Sequence, residues 1–169
     1  LSGMTAVMAG TYSLVGAYVV TRGFKSEASL AEMILVASLV LIASVITACI
    51  LSCYKARKTG QKIFSKLTYR TLWNFSLPLL VGGLFCIALL LHENYGVISS
   101  VMLLFYGLSL VNVSKFTYSN VAWLGYGFLL LGVVDCFFEG YALMFWTIGF
   151  GGLHILYGIL FYLQYERSK

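Results

Sequence analysis

One histidine of this chain, His154, lies in its most hydrophobic part, within the sequence FGGLHILYG over residues 150–158. An ionisable side chain in apolar surroundings is costly and by default marks a functional site. Helical spacing puts Thr147 on the same face, and Tyr106 and Ser109 come from another apolar run at similar depth. We predict that these four residues form a polar site, named here the midplane polar site. Its histidine either packs as a neutral, hydrogen-bonded side chain, which we favour, or takes part in proton relay or ligand binding.

Four other residues have the chemistry to bind a cation. Asp135 and Glu139 are one helical turn apart at the end of one apolar run, and His92 and Glu93 lie in the short connection between two others. Three carboxylates and an imidazole supply oxygen and nitrogen ligands for a cation. We name this set the outer cation site. The alternative, which we favour, is that these charges are simply solvated at the membrane surface.

A third pattern is the cationic stripe of Lys62, Lys66 and Arg70, which recur every four residues within the basic connection over residues 54–70. A helix over these residues would place the cationic stripe beside a stripe of apolar residues. Such a helix could lie among lipid headgroups. The stripe either recruits anionic lipid or a cytoplasmic partner, or only fixes the topology, which we favour. We name these three residues the basic surface.

Motifs for common catalytic chemistry are absent from the chain. It contains no HExxH, no GxSxG, no glycine-rich phosphate loop and no CxxC. We therefore expect no enzymatic activity, no catalytic residue, no cofactor and no resident metal. The net charge of +5 is accompanied by no nucleic-acid-binding motif, so we expect no nucleic-acid partner.

The elements that must position these residues are membrane-spanning helices. Sixty per cent of the residues are hydrophobic and 10% are charged, whereas about 25% are charged in soluble domains. Six apolar runs are each long enough to cross a hydrocarbon core of about 30 Å. They cover residues 1–21, 30–53, 71–91, 97–113, 121–138 and 141–163. Because the later connections are short, we predict an all-α integral membrane protein, a single transmembrane domain over 1–169 with six helices in an antiparallel up-and-down bundle.

The charges predict the orientation of the bundle. If the connection over 54–70 is cytoplasmic, nine of the eleven basic residues lie inside. Those nine are Lys55, Arg57, Lys58, Lys62, Lys66, Arg70, Lys115, Arg167 and Lys169. Both termini are then cytoplasmic, and His154 lies about 20 Å from the outer surface, near the midplane. We also expect a cytoplasmic segment before Leu1.

The first apolar run has one face of small residues. Its members are Ser2, Gly3, Ala6, Ala9, Gly10, Ser13, Gly16 and Ala17. Such a face lets another helix approach closely, which drives helix association in lipid. It forms either a homodimer interface or, as we favour, a contact within the chain.

Four segments carry a resemblance to known proteins: LSGMTAVMAGTYSLVGAYVV, RKTGQKIF, LVNVSKFTYSNVAWLGYG and FWTIGFGGLHILYGILFYLQYER. Together they resemble a family of small six-span bacterial inner-membrane proteins with no assigned activity. The resemblance implies a multi-pass protein of the bacterial inner membrane, with a short cytoplasmic N-terminal helix and a cytoplasmic regulator as a partner. It implies no functional residue.

Two function classes follow from these patterns. The first, which we favour, is a non-enzymatic membrane module that senses, scaffolds or regulates through its cytoplasmic side. The second is a small transporter or channel that uses His154 and the outer carboxylates. Few polar residues near the midplane and short connections favour the module, because a transporter needs a polar path to the midplane.

Overall fold

The computed structural model describes residues 3–23, 29–58, 65–138 and 140–166, and every regular element in these ranges is helical. Five helices are long and apolar enough to cross a membrane. This confirms the predicted all-α class, with helices suited to a membrane. The antiparallel bundle topology and the cytoplasmic position of both termini stay predictions.

The elements are numbered in chain order. The α-helices are α1 (Gly3–Tyr18), α2 (Leu30–Lys58), α3 (Lys66–Leu91), α4 (Ile98–Ser114), α5 (Asn120–Asp135), α6 (Ala142–Trp146) and α7 (His154–Phe161). Three π-helical segments, Val19–Gly23, Thr147–Leu153 and Tyr162–Glu166, extend α1, join α6 to α7 and extend α7. A 3-10 turn, Tyr95–Val97, precedes α4. The helical run from α6 through α7 therefore corresponds to the sixth predicted span.

The helix ends differ from the predicted spans in two places. The helices extend into the predicted connection over 54–70, since α2 continues to Lys58 and α3 begins at Lys66. The early start of α3 has a local cause, since the Ser65 hydroxyl caps the helix by accepting a hydrogen bond from the Thr68 amide at 3.1 Å. The fifth span is shorter than predicted, because α5 has 16 residues and ends at Asp135. At 1.5 Å per residue α5 is about 24 Å long.

The chain divides into two compact units. The first unit comprises Leu1–Gln61 and Phe150–Lys169 and contains α1, α2 and α7. The second comprises Lys62–Gly149 and contains α3, α4, α5 and α6. The single transmembrane domain predicted over 1–169 stays a prediction.

In the first unit, α1 and α7 approach each other through pairs of glycines. A Cβ atom added to Gly3 would lie 2.5 Å from the carbonyl oxygen of Gly158, and one added to Gly10 would lie 2.8 Å from that of Gly151. As the residue number increases along α1, the number of the glycine that it meets decreases, so the two helical runs are antiparallel. The small-residue face of α1 thus lies in a contact within the chain, as we favoured. A homodimer through this helix stays a prediction.

The second unit has the same kind of contact between α4 and α5. A Cβ atom added to Gly107 would lie 2.9 Å from the carbonyl oxygen of Gly125, and the reverse distance is also 2.9 Å. Leu103 and Phe128 are completely buried beside this contact. Close backbone approach gives helices in lipid their van der Waals attraction, so these glycines bring α4 and α5 together.

The helix α2 has a different surface. None of its residues is buried, and its side chains include Leu39, Ile42 and Ile46, each more than half exposed. In a membrane such a surface faces lipid, where exposed apolar side chains cost nothing.

Candidate functional sites

The end of α5 and the start of α4 bring a carboxylate and two hydroxyls together. Asp135, the last residue of α5, is 3% exposed. Ser100 donates a hydrogen bond to its Oδ2 atom at 2.9 Å, and Ser99 donates a second, short one to the same atom. Both serines are buried as well. We name Asp135, Ser99 and Ser100 the buried carboxylate site.

Helix geometry explains why these three residues meet. Near the same end, a Cβ atom added to Gly132 would lie 2.9 Å from Leu104 Cγ and 3.1 Å from Leu103 Cβ. One turn further along each helix, Asp135 and the two serines face each other across the antiparallel pair. The first turn of α4 carries the partial positive charge of a helix N-terminus, which favours an anion beside Ser99 and Ser100.

The other members of the outer cation site have different surroundings. His92 caps the end of α3 and is exposed, and Glu93 follows it, also exposed, with a left-handed backbone (φ 59°). Glu139 lies outside the described residues. Within the part of the chain that the structure describes, no three His, Cys, Asp or Glu side chains are grouped so as to hold a metal ion. The four-residue site therefore stays a prediction, while Asp135 itself is bonded to serines.

His154 begins α7, immediately after the π-helical segment Thr147–Leu153. Its side chain is 6% exposed. The imidazole stacks on Phe150, with ring centroids 6.2 Å apart and an angle of 15° between the ring planes. The histidine is thus buried in the first unit, as a packing role requires.

The remaining members of the midplane polar site belong to the second unit. Thr147 donates a hydrogen bond to the carbonyl oxygen of Leu143 at 2.6 Å, and Ser109 donates one to the carbonyl of Phe105 at 2.9 Å. These bonds stay within each residue's own helical run, which satisfies the two hydroxyls locally.

Tyr106 is held by aromatic contacts. Its ring meets Phe128 edge-on at a centroid distance of 4.8 Å and Phe75 at 6.1 Å. The grouping of Tyr106, Ser109 and Thr147 with His154 stays a prediction.

Two members of the basic surface lie on the first two turns of α3. Lys66 and Arg70 are exposed and one helical turn apart, so their side chains project from the same face. They line a cavity of about 730 Å³ together with polar and apolar neighbours from the same turns. Its lining residues are Ser65, Lys66, Thr68, Tyr69, Arg70 and Leu72. Lys62 lies outside the described residues.

Comparison with protein-family models, with curated proteins and with solved structures found no match. Function is therefore argued from the sites themselves.

Sequence reasoning overlooked Ser99 and Ser100. The two adjacent serines lie in the first turn of α4, and the short link from α4 to α5 makes those helices antiparallel neighbours. That topology aligns the start of α4 with the end of α5, so the signal for a contact with Asp135 was present. What the sequence did not reveal is that Asp135 points into the helix pair rather than toward solvent.

Proposed function

We propose that this chain is a non-enzymatic, multi-pass module of the bacterial inner membrane that senses, scaffolds or regulates, and that its basic surface contacts anionic headgroups on the cytoplasmic side. The observation that carries the proposal is the pair of exposed cations, Lys66 and Arg70, on one face of α3. Lysine and arginine near an anionic leaflet each contribute about 1 kcal/mol of attraction.

The neighbouring residues support a position at the membrane surface. Leu67 and Leu72 are 56% and 62% exposed, and Trp73 is 54% exposed. Apolar side chains next to cations suit a segment that enters the membrane, and tryptophan is enriched at the interface. Ser65, Thr68 and Tyr69 line the same cavity. The Ser65 and Thr68 hydroxyls share a hydrogen bond of 2.9 Å, which leaves one of their two O–H groups, and that of Tyr69, to donate to a phosphate. A cytoplasmic regulator that binds the same cations is a partner consistent with this surface.

The proposal is tested by measuring the lipid that the purified protein retains. Lys66→Gln/Arg70→Gln removes two positive charges from the basic surface, and the control Arg22→Gln/Lys25→Gln removes the two positive charges that the predicted orientation places outside. At about 1 kcal/mol per charge, the first variant should bind phosphatidylglycerol up to about 30-fold more weakly. Native mass spectrometry of protein released from mild detergent gives the occupancy.

The control separates a specific contact from a net-charge effect. We expect it to retain the wild-type amount of phosphatidylglycerol. Unchanged lipid in the Lys66 and Arg70 variant, or equal loss in both variants, would contradict the contact.

A second function, a small transporter or channel, is favoured by one observation. The segment before the buried His154 is π-helical over Thr147–Leu153, and π-helical turns are frequent at functional sites. In this function His154 and the outer carboxylates would carry the transported charge. A proton- or cation-driven flux in proteoliposomes that His154→Gln abolishes without unfolding the protein would favour it over the module.

A further inference from the structure

Asp135 is the one carboxylate that is buried in the part of the chain the structure describes. The contacts of this carboxylate join two helices, because Asp135 is the last residue of α5 and both serines that bond to it lie in the first turn of α4. Three oxygen atoms therefore converge in a place shielded from water. A hydroxyl both donates and accepts, so each serine can either donate to the carboxylate or turn a lone pair toward a cation.

The helices that pack around Asp135 in the described part of the second unit supply no opposite charge beside it. A buried carboxylate needs a paired positive charge or must be neutralised. Within the described second unit, α4, α5 and α6 contain no lysine or arginine, and Lys115 follows the opposite end of α4. The cations of α3, Lys66 and Arg70, lie in its first turns, about 30 Å from the end of that helix.

The other titratable groups at this end of the second unit, among the described residues, lie at the surface. They are the exposed residues His92, Glu93, Tyr95 and Tyr141, which flank α3, α4 and α6. The partial positive charge of the α4 N-terminus amounts to about half an elementary charge, so it compensates the carboxylate only in part.

We propose that Asp135, Ser99 and Ser100 bind an alkali-metal ion, which is held by the carboxylate and hydroxyl oxygens. One carboxylate carries one negative charge, which a monovalent cation neutralises. The bound cation joins the end of α5 to the start of α4. This site does not depend on the lipid contact of the basic surface.

The sequence provides a single-site readout, because Asp135 is the only aspartate in the chain. Protein grown with aspartate labelled at the side-chain carboxyl carbon and reconstituted in nanodiscs therefore reports on this residue alone. In infrared spectra at neutral pH, a carboxylate band that shifts saturably with added Na⁺ or K⁺ identifies the bound ion. A carboxylate band that none of these ions moves would overturn the proposal.

Stability gives a second measurement that does not depend on the label. The melting temperature of the wild type should rise with the concentration of Na⁺ or K⁺, because an ion bound by the folded protein stabilises it. Asp135→Asn keeps the shape of the side chain without its charge, so it should remove that dependence while the protein stays folded. Glu93→Gln, at the exposed carboxylate of the same end, should keep it. A wild-type melting temperature that responds to neither ion, or equal responses in wild type and Asp135→Asn, would contradict the site.

Discussion

The side chain of His154 is buried and stacked on Phe150, and the packing role predicts which replacements it tolerates. A hydrogen bond inside a membrane protein contributes about 0.6 kcal/mol and at most about 1.7 kcal/mol. We therefore expect His154→Asn and His154→Gln to be more stable than His154→Leu by about 1 kcal/mol. Thermal unfolding of the purified variants measures the difference.

The same variants can contradict the packing role. If all three unfolded at the wild-type temperature while a pH-dependent flux disappeared, packing would be the wrong account of His154, and the transporter function would replace the module.

At the scale of single residues, the sequence predicted the burial of His154 but not that of Asp135. It placed His154 in apolar surroundings, and the side chain is 6% exposed. It grouped Asp135 with charged residues of the connections, whereas the carboxylate bonds to Ser99 and Ser100. The difference arises because charge and spacing are visible in a sequence, but the direction in which a helix turns its last side chain depends on the packing of its neighbour.

At the scale of elements, the contact between α1 and α7 depends on glycines whose backbones touch. A Cβ atom at Gly158 would lie 2.6 Å from the carbonyl oxygen of Gly3 and 2.9 Å from the backbone nitrogen of Val7. Backbone atoms cannot rotate away as a side chain can, so Gly158→Ala must push α1 outward. Overpacking of this kind costs about 1–3 kcal/mol. The free energy of unfolding, measured by denaturant titration in mixed micelles, should fall by that amount.

Gly152 in the same helical run provides the matched control. A Cβ atom there meets no neighbouring atom within 4 Å. Gly152→Ala should leave the free energy of unfolding unchanged or raise it by up to about 1 kcal/mol, because alanine favours a helix more than glycine does. Equal destabilisation by both substitutions would show that the close contact with α1 is not the cause.

The helices themselves were predicted from hydropathy, but their ends were not. The apolar runs gave the number and order of the helices, because length and composition decide which segments suit a membrane. Helix α2 extends through Lys55, Arg57 and Lys58, and α3 begins at Lys66. Charged residues outside the hydrocarbon core can continue a helix. Hydropathy therefore locates the end of the apolar segment, which is not the residue at which the backbone hydrogen bonding of the helix ends.

At the scale of the whole molecule, the distribution of charge predicts how the chain crosses the membrane. The end of α2 and the start of α3 flank the same connection, and both are basic. The first carries Lys55, Arg57 and Lys58, and the second carries Lys66 and Arg70. Placing this end in the cytoplasm satisfies the positive-inside rule and puts the buried carboxylate site at the opposite, outer end. The lipid contact and the sensing function both depend on this orientation.

Cysteine accessibility tests that orientation most directly. In a background where Cys49, Cys53, Cys86 and Cys136 are replaced by serine, single substitutions Tyr95→Cys and Lys115→Cys place one thiol at each end of α4. A membrane-impermeant maleimide added to intact bacterial cells should label the Tyr95→Cys protein at once and the Lys115→Cys protein only after permeabilisation. Labelling of the Lys115→Cys protein alone in intact cells would contradict the orientation, and with it the cytoplasmic headgroup contact.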